Sequence, residues 1–303
     1  MKRRDFLRSM TALAAGSALP MPAVWSPARA QSRAETLLIV SESGPNNIDI
    51  HGIGTNVPGY EVSWNCYDRL ISHEMKTLPN GTQYYDRDKL KGELAEDMSV
   101  GDMSVTFKLK RNATFHDGTP VTAKDVKWSL DRAVTVGGFP TFQMGAGSLE
   151  KPEQFVVLDD HTIRVDFLRK DRLTIPDLAV IVPCVLNSGL VQKNASAQDP
   201  WGLDYTKQST AGSGAYRVVN WNSGTEVVYQ RNESWKGGPL PKIRRIIWRM
   251  VPSAGNRRAL LERGVGAPAG TATEVTWPQP HGYATDIAKA KALLAEAGHQ
   301  DHH

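Results

Sequence analysis

Apolar positions along the chain fall into short runs with two different periods. Thr36-Leu37-Leu38-Ile39-Val40 is continuous and predicts a buried first strand, followed by a turn-rich stretch over 41–58 and a helix over 59–70. Val105, Phe107 and Leu109 alternate with Thr106, Lys108 and Lys110, the period of a half-buried strand. After the loop His116-Asp117-Gly118-Thr119-Pro120, Thr122 stands three residues before Asp125, a variant of the capping box that predicts a helix running to Val134. Val126, Leu130 and Ala133 form its core stripe, whereas Trp128 lies about 200° round from Val126. A tryptophan off the stripe needs a second surface, either a neighbouring lobe or a cleft.

Residues 155–158 and 162–167 read as a hairpin around Asp159-Asp160, and residues 215–221 and 225–231 as another around Asn222-Ser223-Gly224. A strand over 243–251 follows, and Ser253 opens a helix that ends before Gly264. Strands mixed with helices and joined mostly by hairpins indicate an α/β or α+β fold. Residues 265–284 then hold Gly266, Pro268, Gly270, Pro278, Pro280 and Gly282 and predict no element at all, which is uncommon inside a compact domain. Beyond them, residues 286–297 predict an amphipathic helix with Ala290, Leu293, Leu294 and Ala297 on one face and Gly298 as its stop.

Composition places this pattern in an ordinary globular protein: 303 residues, 40% hydrophobic and 22% charged, leave room for two domains and exclude a disordered, collagenous or polytopic membrane chain. Lys2, Arg3, Arg4, Arg8 and Arg29 against Asp5 carry the whole net charge of +4. The remainder is neutral, so no nucleic-acid or anionic-membrane partner is indicated. Residues 1–30 combine that basic start with a weakly apolar run and Ala28-Arg29-Ala30, a small-x-small cleavage pattern, and predict an export signal. Arg3-Arg4-Asp5-Phe6-Leu7-Arg8 resembles a twin-arginine signal, and the residues beyond it are expected to be soluble and periplasmic. Residues 175–190 are broken by Pro176, Asp177 and Pro183 and are too short to span a bilayer.

Candidate chemistry is sparse. Gly52-Ile53-Gly54 and Gly212-Ser213-Gly214 lack the spacing and strand-to-helix placement of a phosphate loop, and Ser213 enters a strand rather than a nucleophile elbow, so a turn is the plainer reading. His116-Asp117 could suggest a base and its orienting carboxylate, but adjacent residues in a Gly-Pro turn usually face apart. Cys66 and Cys184 either pair in an oxidising compartment or pack as two buried thiols. His299, His302 and His303 form a tail suited at most to adventitious metal binding, so no catalytic residue, cofactor or metal site is expected.

Four segments are similar to extracytoplasmic solute-binding proteins of family 5, the peptide/nickel type that serves ABC importers. They are Phe115-His116-Asp117-Gly118-Thr119-Pro120-Val121-Thr122-Ala123-Lys124-Asp125-Val126 closing in Ser129-Leu130-Asp131-Arg132; Gly212-Ser213-Gly214-Ala215-Tyr216 with Trp221, Gly224, Arg231-Asn232, Trp235 and Gly237-Gly238-Pro239; residues 257–264; and residues 288–298. The resemblance spans residues 31–300 and implies an α/β fold of the periplasmic binding protein type II, dipeptide/oligopeptide class. Its parts are lobe I over 31–72 and 204–264, an accessory subdomain over 73–203, and only a remnant of the second large lobe over 265–303. It further implies a monomer that closes on a peptide or similar small solute and passes it to an inner-membrane ABC permease. Ligand contacts are expected from Gly54, Thr55, Asn56 and Val57 in the loop after the first strand and from Trp128.

The passage from Gly264 into Val265-Gly266-Ala267-Pro268 departs from the family, whose members are longer and continue into the second lobe. The expectation is an internally deleted, C-terminally truncated form with weak or no ligand binding. An exported twin-arginine-dependent enzyme, or a nickel or metal-chelate receptor, is the alternative.

Overall fold

The computed structural model describes residues 35–264 and the strand residues 267–268. The expected leader, the remainder of the 265–284 stretch, the helix over 286–297 and the histidine tail lie outside the described residues. The first half runs β1 (Thr36–Ser41), α1 (Val57–Cys66), β2 (Ile71–Thr77), β3 (Gln83–Gly92), β4 (Ala95–Val100), β5 (Ser104–Leu109), α2 (Ala123–Thr135) and α3 (Gly138–Ala146). The second runs β6 (Phe155–Asp159), β7 (Thr162–Asp166), α4 (Thr174–Asp177), α5 (Ser188–Lys193), α6 (Leu203–Thr206), β8 (Tyr216–Asn222), β9 (Glu226–Arg231), β10 (Arg245–Met250), α7 (Ala254–Glu262) and β11 (Ala267–Pro268).

Three sheets form among the described residues. One has the order β11-β1-β10-β9-β8, with β1 parallel to both neighbours and the rest antiparallel; the second is the antiparallel β4-β5-β7-β6; the third is the β2-β3 pair. The first draws its strands from the two ends of the described chain and the second from the middle. In β5 the expected alternation holds, since Val105, Phe107 and Leu109 are buried while Lys108 is exposed. Helix α2 packs on β6 and β7 through Val126, Leu130 and Ala133, all fully buried, and Thr122 caps it as expected. The carboxylate of Asp125 accepts the Thr122 backbone N–H at 3.0 Å and its hydroxyl at 2.7 Å. Both predicted hairpins form, and Ser253 caps α7 by accepting the Asn256 N–H.

Several expectations need correction. The helix expected over 59–70 runs instead from Val57 to Cys66. Its start is set by Asn56, whose side chain accepts the Gly59 N–H, and by Pro58 in the first turn. Its end is set at Tyr67, which turns extended so that the Cys66 carbonyl can accept the Gly214 N–H at 3.0 Å. β1 is half-buried, with only Val40 fully enclosed. Ala267 and Pro268, expected to belong to no element, pair with Ile39 and Val40, because β1 otherwise presents an unpaired edge there. Strands β3 and β4 are absent from the periodicity because they are mostly exposed, and β2 because only its first two residues are buried.

Candidate functional site

The loop over 44–58 is knitted by its own side chains. Asn46 Oδ1 accepts the Asn56 N–H at 3.0 Å and Asn56 Oδ1 accepts the Asn46 N–H at 3.2 Å, while Asn56 Nδ2 donates to the Gly44 carbonyl. The Thr55 hydroxyl reaches inward to the carbonyls of Asp49 and Gly52, each at 2.8 Å. Gly54 takes the left-handed conformation at φ +77° with open space where a Cβ would be, and Val57 is 66% exposed. Thus Thr55 and Asn56 turn their polar atoms into the loop, and Gly54 and Val57 form its outer surface.

Beneath the loop lies a buried ion pair. Arg132, fully enclosed in α2, places Nη2 2.7 Å and Nη1 3.2 Å from the two carboxylate oxygens of Asp49, and its Nε donates to the Trp201 carbonyl. Burial works to raise the Asp49 carboxyl, but Arg132 with the Thr206 hydroxyl brings it down to about 2. His51 Nε2–H donates to the Val182 carbonyl at 2.7 Å, and burial, reinforced by Arg132, holds this imidazole neutral down to about 4. Trp128, one turn before Arg132, is half-buried; its ring meets Trp201 at 5.5 Å between centroids and the Arg132 guanidinium at 5.8 Å. Its ring partner is thus Trp201, and Arg132 with Asp49 links it to the 44–58 loop.

Residues that sequence reasoning missed line an apolar recess. Trp64 of α1, His73 of β2, Tyr85 and Arg87 of β3, Gln143 and Ala146 of α3, and Leu173, Pro176, Asp177, Ala179 and Val180 surround a cavity of about 450 Å³, a size suited to a small organic ligand. Helical spacing sets Val57, Tyr60 and Trp64 along one side of α1, opposite the buried Gly59, Val62, Ser63 and Cys66. Tyr60 stacks on Phe139 at 5.5 Å, a Cβ at Gly138 would touch Ile53 at 3.5 Å, and Phe142 is 73% exposed. An apolar strip thus runs from the tip of the 44–58 loop along α1 and α3 to the cavity. Arg69 stacks its guanidinium 4.4 Å over Trp64, is held by both oxygens of Glu93 at 2.8 and 2.9 Å, and donates to the Ala179 carbonyl.

The motif residues do something else. His116 N–H donates to the Gly212 carbonyl at 2.9 Å and its Nε2–H to that of Gly214 at 3.0 Å, while the Ser213 hydroxyl donates to buried Asp68. Asp117 accepts from Thr119 and Asn187, so the His116-Asp117 pair is a turn. Cys66 and Cys184 are free and buried, and burial pushes both thiols well up. Among the described residues no cluster of three His, Cys, Asp or Glu side chains converges to hold a metal.

Comparison with known proteins agrees with this geometry. Residues 89–267, more than half the chain, match the Bacterial extracellular solute-binding proteins, family 5 Middle. The "Probable D,D-dipeptide-binding periplasmic protein DdpA" of Escherichia coli (strain K12) is 27% identical over 232 residues, covering 76% of this chain and 42% of the relative. The glutathione-binding protein GsiB of Pectobacterium atrosepticum is 29% identical over 209 residues, covering 66% and 38%. Among solved structures, the periplasmic binding protein DppA from Helicobacter pylori in complex with peptide STSA matches at TM-score 0.64 and 18% identity over 78% of this chain and 46% of that one. OppA of Listeria monocytogenes bound to peptide matches at TM-score 0.62 and 18% identity, over 78% and 46%. The chain spans under half the length of these proteins. Its fold is that of the type II, peptide-binding class of periplasmic binding proteins, and the chain belongs to the family 5 bacterial extracellular solute-binding proteins.

Proposed function

We propose that the chain is the substrate-binding component of an ABC importer for peptides or related small solutes, exported to the periplasm by the twin-arginine route. It acts by binding and carries out no reaction. Lobe I over 31–72 and 204–264 and the accessory subdomain over 73–203 supply one wall of the solute cleft, with the outer residues Gly54 and Val57 at its rim. Thr55 and Asn56 hold that rim in shape, and Trp128 braces it through Arg132 unless a solute reaches its half-buried indole. The observation that carries this reading is the apolar strip from Ile53 to the Trp64 cavity, left open on a solute-binding fold.

A ligand that binds the native state raises its unfolding midpoint in proportion to occupancy. Thermal unfolding of the whole chain with and without a di- and tripeptide library is the test. A rise with a subset of peptides supports the reading; a flat response to every pool at millimolar concentration, the outcome expected if the truncation impairs binding, refutes it for this polypeptide. Fusing residues 1–30 to a reporter and following its export in a strain lacking the twin-arginine translocase tests the route.

A further inference from the structure

The apolar strip along α1 and α3 is uncovered among the described residues. Ile53 is 67% exposed, Val57 66%, Phe139 42%, Phe142 73% and Leu173, which lines the cavity, 56%. Tyr60 stacks on Phe139, so the two helices present one surface rather than scattered side chains. Its area is on the order of 500 Å², as large as the largest apolar patch that monomers usually leave in water. That is short of the roughly 800 Å² per partner that a stable two-chain complex buries, so a second copy gains too little here to stay. A partner tethered to the same chain needs less area, because a short tether supplies an effective concentration on the order of millimolar.

The chain itself supplies such a partner. Residues 286–297 lie outside the described residues, but their sequence spaces Ile287, Ala290, Leu294 and Ala297 as one face of a helix, with Leu293 beside them. A helix of that length is about 18 Å long and marginal in water unless its apolar face finds a surface; α1, of 10 residues, offers one of about 15 Å. The path is set by β11. It runs parallel to β1, Ala267 beside Ile39 and Pro268 beside Val40, so the chain leaves it in the direction in which β1 enters the 44–58 loop. Asn56 donates its side-chain N–H to the Gly44 carbonyl at 2.9 Å and so folds that loop back, which puts the start of α1 within about 25 Å of Pro268. The 17 residues from 269 to 285, as a coil, span about 20–25 Å, the match of length at which a tether is most effective. We propose that residues 286–297 dock as a helix along the strip between α1 and α3, with Ile287, Leu294 and Ala297 against it, so that a solute reaching the strip displaces them.

This inference goes beyond the solute-binding reading and stands without it. Its test compares methyl NMR spectra of the whole chain with those of a variant carrying Leu293→Asp and Leu294→Asp. The Ile53 and Val57 signals are expected to move, while those of Val105 and Ile163, buried in the other sheet, hold. Identical spectra overturn the docking, and so do Ile53 and Val57 signals in the parent that change with dilution, since a second copy then covers the strip. If the variant fails to fold, a photo-crosslinking p-benzoylphenylalanine at position 294, or at Ala292 about 200° round the same helix, decides. Crosslinks within one chain to residues 53–60 or 138–142 are expected from position 294 in excess of position 292; equal yields overturn the proposal. Where the peptide library binds the parent, its affinity for the variant is expected to be about tenfold higher, as for a strip open in one molecule in ten. Equal affinity would show that segment and solute do not share the strip. A library that binds neither chain sinks the solute-binding reading and leaves the methyl signals to decide the docking.

Discussion

Two places in the molecule bring distant segments together, and they do so in opposite ways. At the joint of the His116–Thr119 turn with residues 212–214, backbone and short polar groups meet closely: Gly214 N–H reaches the Cys66 carbonyl, His116 spans to Gly212 through its N–H and to Gly214 through its ring, and the Asn187 side chain closes on that of Asp117 at 2.8 Å. At the cavity between α1, β3 and α4, side chains from separate elements leave about 450 Å³ between them. The joint admits one arrangement of one set of residues, because glycine and short polar groups are all that fit. The cavity tolerates any set that leaves the right space. A joint therefore looks like a signature, and a cavity need not.

That contrast can be broken by substitutions that test the rigidity of the buried joints and of the open strip separately. The largest effect is expected from the ion pair that anchors the 44–58 loop: Arg132→Met leaves Asp49 buried and unpaired and is expected to cost about 3–5 kcal/mol in urea unfolding. Gly212→Ala comes next, because its Cβ would lie 1.9 Å from the Cys66 carbonyl oxygen and backbone must move, for a loss of about 1–3 kcal/mol or more. Were Gly212→Ala as stable as the parent, the joint would not be the rigid region described; were Arg132→Met so, the ion pair would not anchor the 44–58 loop.

Asp68 sharpens the comparison through pH. Buried against Ser213 and Trp235, its carboxyl is raised by burial, and further by Glu93, to about 7, from an unfolded value of 3.8. The folded state thus holds a proton that the unfolded state has released, so this contribution to stability is complete below pH 3.8 and is lost as pH rises through about 7. In Asp68→Asn that dependence disappears, and the variant is expected to gain on the parent by at most about 1.4 kcal/mol per pH unit across this window. Parallel stability-versus-pH curves would refute it. The smallest effect on stability, within about 0.5 kcal/mol, is expected from Phe142→Ser on the exposed strip, where the chemical-shift response to bound peptide should weaken instead.

The same contrast explains what could be read before the structure. Thr122 with Asp125, the alternation at Val105, Phe107 and Leu109, and the Asn222-Ser223-Gly224 turn are local signals whose cause lies within a few residues, and each formed as expected. The end of α1 at Cys66 depends on Gly214, nearly 150 residues away, and β3 on a partner strand for which its polar sequence shows no demand. At the site, the 44–58 loop was legible from resemblance alone. Trp64, Tyr85, Gln143 and Asp177 were not, since no period or spacing joins residues drawn from four separate elements. A weak signal did exist in Tyr60 and Trp64, two aromatics four apart on the side of α1 away from its small buried residues.

The position of β1 bears on how the molecule comes into being. Its first partners, Arg245 to Met250, leave the ribosome some two hundred residues after Thr36 to Ser41 do. Until then this apolar ribbon has nothing to lie against, and closing so long a loop is slow compared with local helix formation. A nascent chain arrested before residue 245 should accordingly remain accessible to protease and to holdase chaperones at its amino end, and become resistant only once that late strand has emerged.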